Sequence, residues 1–308
     1  MEKRLTRTEM LFSLGFLFML VFSVGAFFYG VKVGSDRTEA NFVQNTKHLS
    51  SSNKGVAAAY QQQDLVSFYH TVFLPYREFQ NEWIDVIRKL PSGQLDDIGS
   101  SLKELSGLAK KTYDETQHST VSKSSPLLES AQLQLLKSLR MFTEAAQRGA
   151  GSSKDMKSNE LYKALMKDAY YADGVKFALG GQKDYYAAML KWSASVNPNI
   201  PEDYEKSTDV SIAQWKLLKL TVKNKVAADQ LNARKTLASF YPQDLTSRVD
   251  EFIGSGQAAS MKMRTVDSVI DLLVKTEAVR AGDFSTSKDE LYSKELLPQL
   301  PFFYPVNE

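Results

Sequence analysis

The residues able to do acid–base or metal chemistry are few and scattered. Only three histidines occur, His48, His70 and His118, and no two stand at the i, i+4 spacing that lets one helix face hold a metal ion. His118 alone has acids at helical distance, Asp114 and Glu115, at the polar end of a helix where a solvated turn explains them. His70 lies beside an apolar stripe, where a core or boundary role explains it. Ser51/Lys54, Ser100/Lys103 and Ser285/Lys288 match a Ser-x-x-Lys pair, but the companion Ser-Asp-Asn and Lys-Thr-Gly motifs of acylating serine enzymes are missing. The local carboxylate pairs Asp96/Asp97, Glu202/Asp203 and Asp289/Glu290 fall near expected helix starts, where the macrodipole favours acids without any catalytic role. Gly180-Gly181 and Gly254-Ser255-Gly256 lack the spacing of a phosphate loop and read as helix breaks. No catalytic residue, metal site or cofactor is expected.

Two groups rise above this background as binding candidates. Tyr170, Tyr171, Tyr185 and Trp192 belong to an aromatic run interleaved with Lys163, Lys167, Lys176, Lys183 and Lys191. Stacking and cation–π contacts from such a surface suit sugars, peptides or quaternary ammonium groups, against a core role for the same rings. The second group is Lys216, Lys219 and Lys223, spaced to share one face of a helix expected from Ser211 to about Phe240 and opposed only by Asp229. That face would meet anionic lipid or an acidic wall polymer, or simply water.

The elements that position these residues follow from apolar spacing. Leu65, Tyr69, Val72, Tyr76, Phe79, Trp83, Val86 and Leu90 step by three or four and predict a long helix with a kink at Pro75. Leu95 to Thr112 continue the spacing in a second helix that packs antiparallel to the first. Ser125 as N-cap and Pro126 at the first helical position open a third, striped by Leu128, Ala131, Leu135, Leu139, Phe142 and Ala146 and closed by Gly149 to Ser153. Beyond it come a helix from Asn159 to Leu179, a shorter one through Trp192, and another from Gln257 to Arg280 with Met261 and Thr265 inward. The apolar, proline-rich tail is expected to dock on the helices. No alternating strand pattern or internal repeat occurs, so the class is all-α, an elongated bundle or two bundles, with segments 55–148 and 158–308.

One segment sets location. Leu11 to Val31 runs 21 residues without a charge, which as a helix reaches roughly 30 Å, the thickness of a bilayer core. Lys3, Arg4 and Arg7 precede it, whereas Lys32 and Arg37 after it are mixed with Asp36 and Glu39, so the N-terminus is expected inside and the bulk of the chain outside. Cleavage after Val24-Gly25-Ala26 is the rival, but Phe27, Phe28, Tyr29 and Val31 carry the apolar run past that site. The expected plan is a cytoplasmic tail (1–10), a transmembrane helix (11–33), a polar tether (35–54) and an extracytoplasmic helical domain. Ala26, Gly30 and Gly34 at i, i+4 and i+8 offer a face for homodimerisation within the membrane.

In architecture alone this plan resembles the sensory half of bacterial chemoreceptors, without a second span or a signalling domain, so signalling would require a membrane partner. The near-neutral balance of the chain, net charge +2, makes no case for nucleic acid. The absence of cysteine and of Asn-x-Ser/Thr sequons fits a bacterial surface protein. The expected function is a non-enzymatic adaptor, scaffold or accessory subunit for another membrane or envelope component. The alternative is an anchored sensor or small-ligand module with a pocket lined by the four aromatics.

Overall fold

The structure, a computed structural model, describes residues 60–205 and 210–304. The apolar segment from Leu11 to Val31 and the Ala26, Gly30, Gly34 ladder lie outside these residues, and among the described residues no helix is long and apolar enough to cross a membrane. The described chain is all-helical, and its one β-bridge joins Ser211 to Thr265.

The first apolar stripe builds α1 (Gln62–Phe68) and α2 (Leu74–Lys89), joined by a π-helical turn over Tyr69–Phe73. Pro75 causes this interruption: it has no N–H for the carbonyl of Thr71 and its ring crowds that carbonyl. Leu74 N–H reaches five residues back to Tyr69 O, and the freed Thr71 carbonyl accepts from Ser119 Oγ at 3.0 Å. The chain therefore adjusts its winding one turn ahead of the proline. Of the eight stripe residues, all but half-buried Val86 are fully buried.

Asp97 caps α3 (Ile98–Thr116), accepting from Ser100 N–H at 2.9 Å. Ser125 does not cap α4 (Pro126–Ser152) with its side chain. Its hydroxyl instead accepts from Tyr60 N–H at 3.1 Å and donates to Asp64 at 2.9 Å, tying the start of α4 to the start of α1. The six expected stripe residues of α4 are buried, and the helix continues through Gly149 and Gly151.

The next two helices are α5 (Ser158–Met166) and α6 (Ala169–Val196). Their break lies at Lys167–Asp168, where Asp168 caps α6 by accepting from Tyr170 and Tyr171 N–H at 2.8 and 3.2 Å. Gly180-Gly181 is not a break. The two glycines sit mid-helix because α4 lies against them: a Cβ on Gly181 would stand 2.7 Å from Leu135 Cγ and 3.1 Å from Ala131 O, and one on Gly180 would overlap Gln134 Oε1.

The remaining chain forms α7 (Ile212–Leu217), α8 (Leu220–Ala233), α9 (Pro242–Gly254), α10 (Gln257–Ser260), α11 (Val266–Lys275) and α12 (Asp283–Leu291). The helix expected over Gln257 to Arg280 is split: Lys262 takes a left-handed φ of 56° and Thr265 starts α11 as its N-cap, so neither Met261 nor Thr265 points into a continuous helix face. The tail packs Leu297, Leu300 and Phe303 inward, and Phe302 lies 5.2 Å from the Tyr241 ring and 5.3 Å from Tyr69. One hydrophobic cluster runs from Leu65 to Phe303 through both segments, with a small second group at Leu190, Ile200 and Val222.

Candidate functional site

The aromatic candidates do not form one surface. Tyr185 is buried, its hydroxyl donating to Leu65 O at 3.0 Å and its ring 4.9 Å from Phe68 and 4.7 Å from Phe73. Tyr171 is half-buried on Trp83 and Phe142, with centroids at 6.2 and 6.1 Å, and burial pushes its hydroxyl up to about 12. Tyr170 lies under the Arg148 guanidinium at 5.3 Å, and Trp192 is in the core. The reason they do not converge is that α6 is continuous. At 1.5 Å per residue, Tyr171 and Tyr185 stand roughly 21 Å apart along its axis, and Tyr170 and Trp192 roughly 33 Å. The four rings serve separate parts of the core.

The lysine stripe is corrected likewise. α7 ends at Leu217, Leu218 and Lys219 are extended with ψ near 143° and 153°, and α8 begins at Leu220. Lys216, Lys219 and Lys223 therefore belong to a helix, a junction and a second helix, not to one face. Lys216 and Lys219 are exposed, whereas Lys223 turns inward onto Asp250 with Nζ 2.9 Å from both carboxylate oxygens and 5.4 Å from the Trp215 ring centre. Asp250 also accepts from Trp215 Nε1 at 2.6 Å and Tyr292 Oη at 2.6 Å. This carboxylate joins α7, α8, α9 and the C-terminal segment. Arg234, from the same basic run, pairs with Asp267 at 2.7 Å and Asp271 at 2.8 Å.

Two further buried groups were invisible in the sequence pattern. Arg77 donates to the carbonyls of Ala238, Ser239 and Phe240 at 3.1, 2.7 and 3.3 Å and lies 4.4 Å over Tyr241, holding the loop before α9 against α2. Asp244 accepts from Tyr241 N–H at 2.8 Å and Phe284 N–H at 3.0 Å, capping the starts of α9 and α12 together. Burial raises its carboxyl above the ordinary 3.8, against the pull of those backbone donors.

A partly open polar cleft of about 690 Å³ lies between α6, α8, the start of α4 and the loop before α7. Lys183, Asp184 and Lys191 enter from α6, Glu202, Asp203 and Glu205 from the loop, and Lys225 and Asp229 from α8. Ser130 and Gln134 fix Asp184 with bonds of 2.6 Å each. Lys225 is buried between Asp229 at 2.7 Å and Tyr204 O at 2.6 Å. Burial raises the Asp229 carboxyl, and Lys225 partly offsets that rise. None of the four aromatic candidates lines this cleft. Its chemistry is that of ion pairing and hydrogen bonding to a polar solute.

The other chemistry-bearing residues are dispersed. His70 is exposed with its ring 5.0 Å from Tyr69, so it is not a core histidine; His118 is exposed beyond α3, and His48 lies outside the described residues. Ser100 is at the start of α3, Ser51/Lys54 lies outside the described residues, and Lys288 covers the Tyr304 ring at 3.8 Å. Asp289/Glu290 falls in the last turn of α12 and not at a helix start. Among the described residues no group of three or more His, Asp or Glu side chains is arranged to hold a metal ion. No protein-family model matches the chain, and no curated protein or solved structure matches it significantly either.

Proposed function

We propose that this chain is a bitopic membrane protein, N-terminus in the cytoplasm, whose extracytoplasmic helical domain acts without catalysis as an adaptor, scaffold or accessory subunit for another cell-envelope component. The observation that carries this reading is the uncharged run from Leu11 to Val31, long enough to span a bilayer and flanked by Lys3, Arg4 and Arg7 on the inner side. Lys223 on Asp250 ties α8 to α9, Asp244 ties α9 to the start of α12, and Lys225 pairs with Asp229 on its own helix while holding Tyr204 O of the loop before α7. Crosslinking in intact cells, gentle membrane solubilisation and identification of what copurifies tests the reading. A stoichiometric envelope partner supports it, and none in repeated trials overturns it. Lys216→Glu with Lys219→Glu is the matched surface variant; Lys223 is left intact because it is structural.

A second reading, an anchored small-ligand module, is favoured by the charged cleft. Its volume falls within the range of about 300–1,000 Å³ common for small-molecule sites. The site would then lie at Lys183, Asp184 and Glu205 and not at the aromatic run. A polar solute that raises the melting temperature of wild type but not of Lys183→Ala would establish it.

A further inference from the structure

Three segments meet around α7. Ile212 N–H donates to Arg264 O at 3.0 Å and Ser211 pairs with Thr265, holding the turn after α10 against the start of α7. Trp215 and Tyr292 share Asp250, and Lys219 faces Glu295 at 3.9 Å, holding the C-terminal segment against its end. Each segment exposes a large apolar side chain: Leu217 at 84%, Leu296 at 54% and Met261 at 52%. Beside them stand Lys216, Lys219, Lys262, Arg264 and Lys294, all exposed. Across 216–219, 261–264 and 293–296 five cations face a single carboxylate, Glu295; Glu290, exposed on α12, is the next acid before the last of these segments.

Isolated exposed leucines are ordinary on a protein surface. Aliphatic tips set among lysines and arginines form a more particular combination, the one that enters the headgroup region of an anionic bilayer: the cations meet lipid phosphates and the tips reach the acyl boundary. The dry core of a protein interface, by contrast, is depleted in lysine. We propose that this edge of the domain rests on the anionic surface of the bilayer, with Leu217 inserted at its centre. The proposal relies on the reading that residues 11–31 span that bilayer, which keeps the domain within a tether's length of the lipid. Lys223, turned onto Asp250, takes no part.

The chain contains no cysteine, so Leu217→Cys and Leu133→Cys each supply one thiol for an environment-sensitive fluorophore. Leu133, on α4 and 53% exposed, is the control outside the three segments. The labelled full chain is reconstituted into vesicles of phosphatidylcholine, with or without phosphatidylglycerol, carrying nitroxide lipid. The expected result is a blue shift and strong quenching at 217 with phosphatidylglycerol, weaker quenching without it, and neither change at 133. A chain that floats with the vesicles but stays unquenched at 217, or is quenched equally at 217 and 133, overturns the proposal while leaving the anchor standing. A chain that does not float overturns the anchor, and the proposal with it. Crosslinking of position 217 to a protein in cells, with no quenching by lipid, reassigns the edge to a protein partner.

Discussion

Replacing Gly181 by alanine sets two effects of opposite sign against each other. In a helix interior alanine is favoured over glycine by about 1 kcal/mol. At Gly181 that gain meets overpacking, because the new methyl would lie 2.7 Å from Leu135 Cγ and 3.1 Å from the Ala131 carbonyl. Neither is the free end of a flexible side chain: one is a branch point in the core and the other is the backbone of α4. Overpacking of a closed core costs about 1–3 kcal/mol, and these contacts belong in the upper half of that range, leaving a net loss of about 1–2 kcal/mol. Gly107 is the matched control, mid-helix in α3, where an added methyl would meet nothing within 4 Å. Gly107→Ala therefore keeps the whole gain of about 1 kcal/mol. For a domain of this size each kcal/mol moves the melting temperature by about 2–4 °C. Thermal unfolding of the purified full chain, followed by far-UV circular dichroism, should show Gly181→Ala below wild type and Gly107→Ala above it. A Gly181→Ala protein that melts at or above Gly107→Ala refutes the close approach of α4 and α6.

Three further outcomes follow from the buried polar groups. Asp250→Ala strands the Lys223 charge and the Trp215 and Tyr292 donors and should cost about 3–5 kcal/mol in denaturant unfolding. Lys223→Met leaves Asp250 two short bonds and should cost distinctly less; the reverse order would contradict the network. Asp244 is an acid whose folded-state affinity for a proton is raised, so its ionisation opposes folding increasingly as pH rises above the ordinary 3.8 and through the folded value. The stability of wild type relative to Asp244→Asn should be greatest at the acid end and shrink with rising pH across a denaturation series; an advantage that grows with pH would refute it. Arg77→Lys loses the fork over the carbonyls of residues 238–240 and should destabilise by about 1–3 kcal/mol. A neutral result in the same unfolding assay would show that the fork does not hold that loop.

What the sequence disclosed was set by how locally each feature is determined. The stripes of α1 to α4 were legible because amphipathic spacing is a property of one helix. The role of Gly180-Gly181 was not, since a glycine that ends a helix and one that admits a neighbour look alike until Leu135 and Gln134, dozens of residues earlier, are brought alongside. The lysine run failed differently. Nothing between Ser211 and Phe240 is a proline or glycine, yet the chain turns at Leu218–Lys219 so that Trp215 and Lys223 can both reach Asp250. Local signals of the true boundaries were present in the Ser211-x-x-Gln214 capping box, in Thr265 ahead of Val266 and in Asp168 ahead of α6. The cleft had no signature at all, because Lys183, Glu205 and Asp229 meet only through tertiary packing.

Membrane fractionation of intact cells tests the proposed anchoring most directly. Membranes are washed at alkaline pH, and a protease is added to the outside of spheroplasts in parallel. The full chain should stay with the washed membranes, and the helical domain should be digested from outside while the cytoplasmic contents remain intact. A chain released by the alkaline wash, or a domain protected until the membrane is broken, would contradict the proposed anchoring.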